Sequence, residues 1–365
     1  MSPTPKPGVL DITPYVGGRA RAPDGTRSVK LSSNESALGA SPAAVAAYQA
    51  AGGEISLYPE GSARMLRETI GEIHHLDPER IVCGNGSDEL ISLLAHIYLS
   101  PRDEVLFTEH AFLVYRIAAL ANSAIPVAVP EKKRRADVDA VIAAVTPRTR
   151  LVYLANPNNP TGACLSGAEV RRLHAALPAS ALLVLDAAYA EYVQREDYEP
   201  GTELVSRFDN VVMTRTFSKI YGLAGMRVGW AYCPESVADA LNRVRGPFNV
   251  SVPAQRAAAA ALLDRDHVKR AVAHNDKWKS WITQRIRATG LRADDSEGNF
   301  VLIHFPSQGP HAALSADAFL TGRGYILRPV ANYGLPHCLR LTIGDEDANR
   351  GVAAALAEFV ARDSR

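Results

Sequence analysis

The stretch VVMTRTFSKIYGLAGMRVG, residues 211–229, organises the rest of the chain. Its first residues, 211–213, are apolar and predict a buried strand. Hydroxyl residues come after this strand, and three glycines come after them. The chain has eight lysines, and only Lys219 is surrounded by apolar, hydroxyl and glycine residues. A lysine partly removed from water loses proton affinity and can then attack a carbonyl carbon. The stretch therefore predicts a lysine that binds an aldehyde cofactor covalently, against the alternative of a lysine in a solvated loop.

Short apolar runs alternate with helical segments on both sides of this stretch. Such alternation favours a mainly parallel sheet with helices on both faces. After about residue 250 the pattern changes to a long Ala-rich helical stretch, then short strands flanking one helix, and a final helix, which together predict an α+β unit. The seven strands predicted for the first part are 81–83, 105–109, 125–129, 151–155, 182–186, 211–215 and 228–232.

We therefore predict an α/β fold with a large and a small domain. The large domain covers residues 41–250 and contains a seven-stranded, mainly parallel sheet. The smaller α+β domain covers residues 251–365. An N-terminal arm, residues 1–40, is rich in Pro, Gly, Ser and charges, and we expect it to pack with the small domain.

The composition narrows the function classes. With 365 residues and 47% hydrophobic content, the chain can bury a large core. Its net charge of +1 gives no overall attraction to nucleic acid or to an anionic membrane. Four widely separated cysteines fit neither a zinc pattern nor a disulfide framework, so no metal site is expected. The opening MSPTPKPGVL lacks the apolar core of a signal peptide, and we expect a cytoplasmic protein with no membrane span.

Polar residues follow several of the predicted strands. In open α/β sheets, ligands bind beyond the carboxyl ends of the strands, so these residues are expected to share one site. GNGSDE at 84–89 opens a predicted helix, and its backbone amides provide a seat for an anion. The residues that these positions supply are Ser87, Asp88, Phe112, Asn159, Asp186, Tyr189, Thr216, Ser218, Lys219 and Arg227.

These residue types match the needs of a pyridine aldehyde phosphate. Lys219 can bind the aldehyde and later move a proton between the substrate carbon and the cofactor carbon. Asp186 can pair with the ring nitrogen and keep it protonated, although an acid that ends a strand can also serve only as a helix cap. Asn159 and Tyr189 can hydrogen-bond to the phenolic oxygen, and Phe112 can stack on the ring face.

The phosphate of such a cofactor needs a cation together with hydroxyl or amide donors. Arg227 supplies the matching charge, and Thr216 and Ser218 supply hydroxyls. The backbone amides of Ser87 and Asp88 supply further donors at the start of a helix. These five residues therefore predict a phosphate seat close to the lysine.

NPNNPTG at 156–162, an aspartate with a tyrosine three residues later, TFSK and the GMR of 225–227 resemble the fold-type-I pyridoxal-phosphate aminotransferases. Nearly the whole chain follows their order, and it is most similar to the histidinol-phosphate aminotransferase family. The resemblance implies an aspartate-aminotransferase-like fold, pyridoxal 5'-phosphate as cofactor, and a homodimer with its active sites at the subunit interface.

The same resemblance implies roles for residues outside the strand ends. Tyr58 of YPEG is implied to reach the cofactor phosphate of the neighbouring subunit. Arg340 of LRLTIG is implied to bind the acidic group of the substrate. Without the resemblance, an arginine in a C-terminal strand would be interpreted as a surface residue. Tyr15 and Arg328 are implied to line the substrate pocket.

This chain departs from the family pattern at three places. Ala187 stands where the family commonly has the Glu of DEAY, and Phe112 stands where a tyrosine is usual. Ser36, Ala37 and Leu38 replace the usual continuation of the arm. The first two changes leave the expected cofactor contacts and ring stacking in place.

The expected reaction interconverts histidinol phosphate and 2-oxoglutarate with imidazole acetol phosphate and glutamate, a step of histidine biosynthesis. Two alternatives stay open from the sequence. The first is the same chemistry on phenylalanine or tyrosine. The second is a pyridoxal-phosphate lyase of the phosphothreonine decarboxylase type, which shares the cofactor motifs.

Overall fold

The computed structural model describes residues 3–21 and 28–362. The predicted arm also contains residues 1–2 and 22–27, and the predicted small domain contains residues 363–365, all of which lie outside the described residues. The α-helices of the described ranges are α1 (Pro42–Ala50), α2 (Arg64–His74), α3 (Ser87–Tyr98), α4 (Val114–Ala121), α5 (Val138–Ala143), α6 (Gly167–Ala175), α7 (Thr202–Arg207), α8 (Glu235–Val244), α9 (Val252–Leu263), α10 (Arg265–Arg287), α11 (Ala313–Gly322) and α12 (Glu346–Ala361). None of these helices combines the length and the apolar content needed to cross a bilayer.

The strands of the described ranges form four sheets. They are β1 (Val29–Lys30), β2 (Ile81–Gly84), β3 (Glu104–Thr108), β4 (Ile125–Val129), β5 (Glu131–Lys132), β6 (Arg135–Ala136), β7 (Thr149–Ala155), β8 (Leu182–Asp186), β9 (Val211–Thr216), β10 (Gly229–Tyr232), β11 (Arg292–Ala293), β12 (Phe300–His304), β13 (Tyr325–Ile326), β14 (Arg328–Pro329) and β15 (Cys338–Thr342). The large sheet has the order β2-β10-β9-β8-β7-β3-β4, and only β10 runs antiparallel to its neighbours. The predicted seven-stranded, mainly parallel sheet is therefore confirmed.

The central strands of this sheet are apolar along their whole length because helices cover both faces. In β8, Leu183 and Leu185 pack into one hydrophobic core, whereas Leu182 and Val184 pack into the core on the opposite face. Strands β7, β8 and β9 are parallel and in register, with Ala155 beside Asp186 and Asp186 beside Thr214. The loops that follow these strands consequently begin at one edge of the sheet.

The C-terminal part contains the four-stranded antiparallel sheet β11-β12-β15-β14 with its own hydrophobic core. The long helical stretch expected before it is divided into α9 and α10 at Asp264. The Asp264 carboxylate accepts a hydrogen bond from the backbone N–H of His267 and so caps the start of α10. Helix α9 packs into the core of the large sheet, and the domain boundary near residue 250 stays a prediction.

The described arm contacts both parts of the chain: near its start the carbonyl of Pro7 accepts a hydrogen bond from Ser123 after α4, and its later residues lie against the C-terminal part. Strand β1 pairs in parallel with β13, and Arg19 forms an ion pair of 2.6 Å with Asp317. After β1 the arm continues through residues 31–35, which reach the edge of the large sheet where β7, β8 and β9 end. The arm thereby brings backbone and side-chain groups to the same place as the strand-end residues.

Candidate active site

A cavity of about 210 Å³ lies where β7, β8 and β9 end, between the large sheet, the four-stranded sheet and the arm. The structure brings together every site residue expected from the sequence except Tyr58. Those residues are Tyr15, Ser87, Asp88, Phe112, Asn159, Asp186, Tyr189, Thr216, Ser218, Lys219, Arg227, Arg328 and Arg340.

Lys219 projects into this cavity from the loop after β9. Its Nζ donates a hydrogen bond of 3.1 Å to the backbone carbonyl of Ser33 in the arm. Burial, together with the nearby guanidinium of Arg340, lowers the pKa of Lys219 to about 8. A substantial fraction of the amine is therefore neutral near physiological pH, as a nucleophile for a carbonyl requires.

Asp186 ends β8 and is almost completely buried, with 6% of its surface exposed. Burial raises the pKa of Asp186 to about 6, and three hydrogen bonds oppose this effect, one from the backbone N–H of Ala188 and two from side chains. The Tyr115 hydroxyl donates to Oδ2 at 2.7 Å, and the Thr214 hydroxyl donates to Oδ1 at 3.4 Å. The carboxylate is thus mostly ionised at neutral pH and held in one orientation, which suits a partner for a ring nitrogen.

Tyr115 was not among the residues predicted from the sequence. Its ring stacks in parallel on Tyr153, with 4.7 Å between the centroids, and meets the edge of Phe112. Tyr153 is itself held by a hydrogen bond from its hydroxyl to the carbonyl of Ile91. The sequence does contain a signal for Tyr115, which is its spacing from Phe112. Residues three apart lie on one side of a helical segment, so Tyr115 is expected on the same side as Phe112.

The predicted phosphate seat forms at the start of α3. Arg227 donates through Nη1 to the Ser218 hydroxyl at 3.2 Å and through Nη2 to the Asp88 carboxylate at 3.1 Å. A Cβ at Gly86 would lie 2.3 Å from Arg227 Nη2, and a Cβ at Gly229 would lie 2.5 Å from the backbone nitrogen of Ser87. Glycine at both positions therefore lets the guanidinium and the helix amides come together, which fits a phosphate group.

The side of the cavity expected to face the phenolic oxygen contains Tyr189 and Asn159. Burial raises the pKa of Tyr189 to about 12, so its hydroxyl keeps its proton and can donate it. The Asn159 Oδ1 accepts a hydrogen bond from Arg340 Nη1, which leaves its amide nitrogen as the available donor. With the aspartate and the lysine nearby, these donors fit the pyridoxal phosphate predicted from the sequence.

Two arginines form the part of the cavity assigned to the substrate. Arg328 of β14 and Arg340 of β15 are directly opposite each other in the sheet register, and both are buried. Arg340 Nη2 donates to the carbonyl of Ser32 at 2.7 Å, while its Nε has no hydrogen-bond partner among the residues that the structure describes. Arg328 donates to the carbonyl of Val16 at 2.7 Å. Two adjacent buried cations suit a ligand group with more than one negative charge.

The arm contributes contacts that the sequence did not predict. Ser32 and Ser33 offer backbone carbonyls to Arg340 and Lys219, and the Asn34 amide nitrogen donates to the Tyr189 hydroxyl at 2.8 Å. A string of short polar residues in a proline-rich arm carries no signal for such contacts. These contacts depend on the pairing of β1 with β13, which fixes the position of the arm residues that follow β1.

Tyr58 lies outside the cavity of its own chain. Its side chain is 82% exposed and stacks on Phe248, with 4.7 Å between the ring centroids. Ile55 and Leu57 next to it are also strongly exposed, at 77% and 67%. The single chain therefore shows no contact between Tyr58 and the phosphate seat.

Comparison with known proteins shows the family of this chain. The family model for aminotransferases of class I and II matches residues 26–356. Curated histidinol-phosphate aminotransferases from Rhodopseudomonas palustris are 54% identical over 99% of both chains (strain HaA2) and 55% identical over 98% of both chains (strain TIE-1). The crystal structure of histidinol-phosphate aminotransferase from Sinorhizobium meliloti in complex with pyridoxal-5'-phosphate is 28% identical, covers 96% of both chains and has a TM-score of 0.89. The chain belongs to the class I and II aminotransferases and, within them, to the histidinol-phosphate aminotransferase family.

Proposed function

We propose that this chain binds pyridoxal 5'-phosphate and interconverts histidinol phosphate and 2-oxoglutarate with imidazole acetol phosphate and glutamate. The observation that carries this proposal is the adjacent pair Arg328 and Arg340 in the same cavity as Lys219 and Asp186. The names of the relatives favour this transamination over the lyase reaction that also fitted the sequence.

The bound cofactor would supply an aldehyde for the amino group and a ring that accepts electrons. Lys219 Nζ is the group that removes the proton from the substrate carbon bearing the nitrogen, and its lowered pKa of about 8 suits a base at neutral pH. Asp186 would pair with the ring nitrogen and keep it protonated, since its carboxylate is buried and oriented by Tyr115. Tyr189 and Asn159 would donate hydrogen bonds to the phenolic oxygen.

The remaining contacts hold the cofactor in place. The residues that would bind its phosphate are Arg227, Thr216, Ser218 and the backbone amides at the start of α3, and Phe112 would pack on the ring. The seat combines a cation, hydroxyls and helix-terminal amides, each of which binds phosphate oxygens well. Lys219 and Asp186 thus act on a cofactor that is fixed at both ends.

The preference for histidinol phosphate follows from charge. Its phosphate has three acceptor oxygens and nearly two negative charges, whereas the carboxylate of phenylalanine has one charge. A single arginine such as Arg340 can clamp either group, and Arg328 adds a second cation that benefits only the phosphate. Tyr15 adds a neutral hydrogen bond at the same end. Phenylalanine and tyrosine are therefore weaker donors in this proposal.

A homodimer with shared active sites is part of the same proposal. It rests on the family relationship, on the exposure of Tyr58 and on the strongly exposed Ile55 and Leu57 beside it. In the dimer, Tyr58 reaches the cofactor phosphate of the neighbouring subunit. The cytoplasmic location stays a prediction from the sequence.

The substitution Arg328→Ala tests the substrate assignment. We expect kcat/KM for histidinol phosphate to fall roughly tenfold or more, the scale of one lost charged hydrogen bond. The value for phenylalanine should fall much less, because Arg340 still clamps its carboxylate. Arg323→Ala is the matched control, since Arg323 pairs with Glu358 on the surface of the same part of the chain. Equal losses for both donors, or a preference of the unaltered enzyme for phenylalanine, would assign the enzyme to aromatic amino acids.

A further inference from the structure

Three consecutive residues of the arm each contact a different functional residue of the cavity. The carbonyl of Ser32 accepts from Arg340, the carbonyl of Ser33 accepts from Lys219, and the Asn34 side chain donates to Tyr189. Only the third contact uses a side chain of the arm, so it is the one of the three that a side-chain substitution in the arm removes directly.

The orientation of the Asn34 amide is fixed by its surroundings. Asn34 is buried and has φ of 58°, in the left-handed region that asparagine tolerates. Its backbone N–H donates to Thr342 Oγ1 at 3.0 Å, and Thr342 Oγ1 donates its proton to Asn34 Oδ1 at 3.1 Å. Because the amide oxygen faces Thr342, the amide nitrogen must face the Tyr189 hydroxyl. A second anchor is the backbone carbonyl of Asn34, which accepts from Asn299 Nδ2.

The contact with Asn34 determines the direction in which the Tyr189 hydroxyl donates its proton. A phenol has one proton to donate and lone pairs that accept. Asn34 Nδ2 donates at 2.8 Å and so occupies a lone pair of the Tyr189 oxygen. Among residues 3–21 and 28–362, no acceptor takes the Tyr189 proton, and Tyr189 lines the cavity. The proton is therefore directed away from Asn34 and is available to a ligand.

We propose that Asn34 is a positioning residue that turns the Tyr189 hydroxyl so that it donates to the phenolic oxygen of the bound cofactor. This inference rests on the proposed function and adds to it a residue of the arm. Asn34 does not touch the cofactor in this account. It acts only through Tyr189, and it is held in place by Thr342 and Asn299 of the C-terminal part.

The expected consequence is measurable without any substrate. A hydrogen bond to the phenolic oxygen favours its anionic form and thereby lowers the pH at which the lysine-bound cofactor changes its visible absorbance. Other groups that face Tyr189 also influence this midpoint, namely Arg340, Asp186, Tyr15 and Lys219. A test must therefore change the direction of the hydroxyl while these groups stay in place.

The substitution Asn34→Asp makes this change. Aspartate tolerates the same left-handed backbone and keeps an oxygen for Thr342, but it presents a second oxygen to Tyr189 where the amide nitrogen stood. The Tyr189 proton is then drawn to Asp and away from the cofactor. We expect the absorbance midpoint to rise by roughly one pH unit, and the dissociation constant of pyridoxal phosphate to rise roughly tenfold, as for one lost charged hydrogen bond.

The new carboxylate could also raise the midpoint by its charge alone, and a double-mutant cycle separates the two effects. In a Tyr189→Phe background, Asn34→Asp should shift the midpoint and the cofactor affinity much less than in the unaltered protein, because only the charge effect remains when no hydroxyl can be turned. An equal shift in both backgrounds would overturn the inference. Asn34→Gly, which keeps the left-handed backbone and adds no charge, should move the midpoint in the same direction by less, and no shift in this variant would also overturn it.

The same titrations separate this inference from the proposed function. If the unaltered protein showed no visible cofactor band at all, the proposed function would fail and the role of Asn34 with it. The unaltered protein could bind the cofactor and accept histidinol phosphate while the Asn34 variants showed the same absorbance midpoint as the unaltered protein. In that case only the role of Asn34 would fail. Circular dichroism and thermal unfolding of each variant show whether it is folded before the titration.

Discussion

The hydrogen bond from Tyr115 to Asp186 leads to the most quantitative prediction. Burial raises the pKa of Asp186 to about 6, and Tyr115 is the first of the contacts that keep it from rising further. A hydrogen bond to a charged group contributes roughly 1.5 to 3 kcal/mol, and one pKa unit corresponds to about 1.4 kcal/mol. Tyr115→Phe should therefore raise the pKa of Asp186 by roughly one to two units. At neutral pH a much smaller fraction of the carboxylate would then be ionised.

The assay is the affinity of the apoenzyme for pyridoxal phosphate as a function of pH. An ionised Asp186 pairs with the protonated ring nitrogen, so affinity should rise as the pH passes through the pKa of Asp186. In Tyr115→Phe this rise should be displaced upward by roughly one to two pH units, with affinity at pH 7 roughly two- to tenfold weaker. The titration of Lys219 affects all variants equally and drops out of the comparison.

Tyr153→Phe is the matched control for this prediction. It deletes a buried hydroxyl from the other ring of the same stacked pair, but that hydroxyl bonds to the carbonyl of Ile91 and not to Asp186. The midpoint of Tyr153→Phe should equal that of the unaltered protein. An unchanged midpoint in Tyr115→Phe, or an equal displacement in both variants, would refute the reasoning.

Three further predictions concern the stability of the apoenzyme, the cofactor and the subunit interface. The pKa of Asp186 is raised from 3.8 to about 6, so its ionised carboxylate destabilises the folded protein above pH 6. Asp186→Asn should therefore increase the free energy of unfolding of the apoenzyme in urea by roughly 3 kcal/mol above pH 6, and leave it unchanged below pH 4. Equal free energies of unfolding for the variant and the unaltered protein at pH 8 would contradict this. Lys219→Ala should abolish the borohydride-fixed cofactor adduct, and a persistent adduct would show that another residue binds it. Tyr58→Phe should weaken cofactor retention by roughly 1.5 to 3 kcal/mol, whereas an active monomer in light scattering would exclude a shared site.

The large sheet was predictable because most of its strands are buried and appear in the sequence as short apolar runs. The apolar run at 182–186 coincides with β8, and the run at 125–129 coincides with β4. The division of the Ala-rich stretch at Asp264 was not predicted, although the sequence contains its cause. Asp264 is a good N-cap residue, and it starts α10 directly where α9 ends.

The candidate site was predictable where its residues follow strands, because register brings strand ends together. Asp186 and Thr214 are neighbours for this reason. Tyr115 and Asn34 were missed because their partners are distant in sequence. Tyr115 meets Asp186 across 71 residues, and Asn34 meets Tyr189 across 155 residues. Such contacts arise from helix packing and from the path of the arm, for which a single sequence gives no periodic signal.

A half-reaction shows whether the amino group of histidinol phosphate is transferred in this cavity. Purified holoenzyme is mixed with histidinol phosphate, phenylalanine or tyrosine in the absence of any oxo acid, and the cofactor absorbance is followed. We expect histidinol phosphate to convert the lysine-bound cofactor to its amine form at lower concentration and faster than either aromatic amino acid. Conversion by phenylalanine or tyrosine with no response to histidinol phosphate would contradict it.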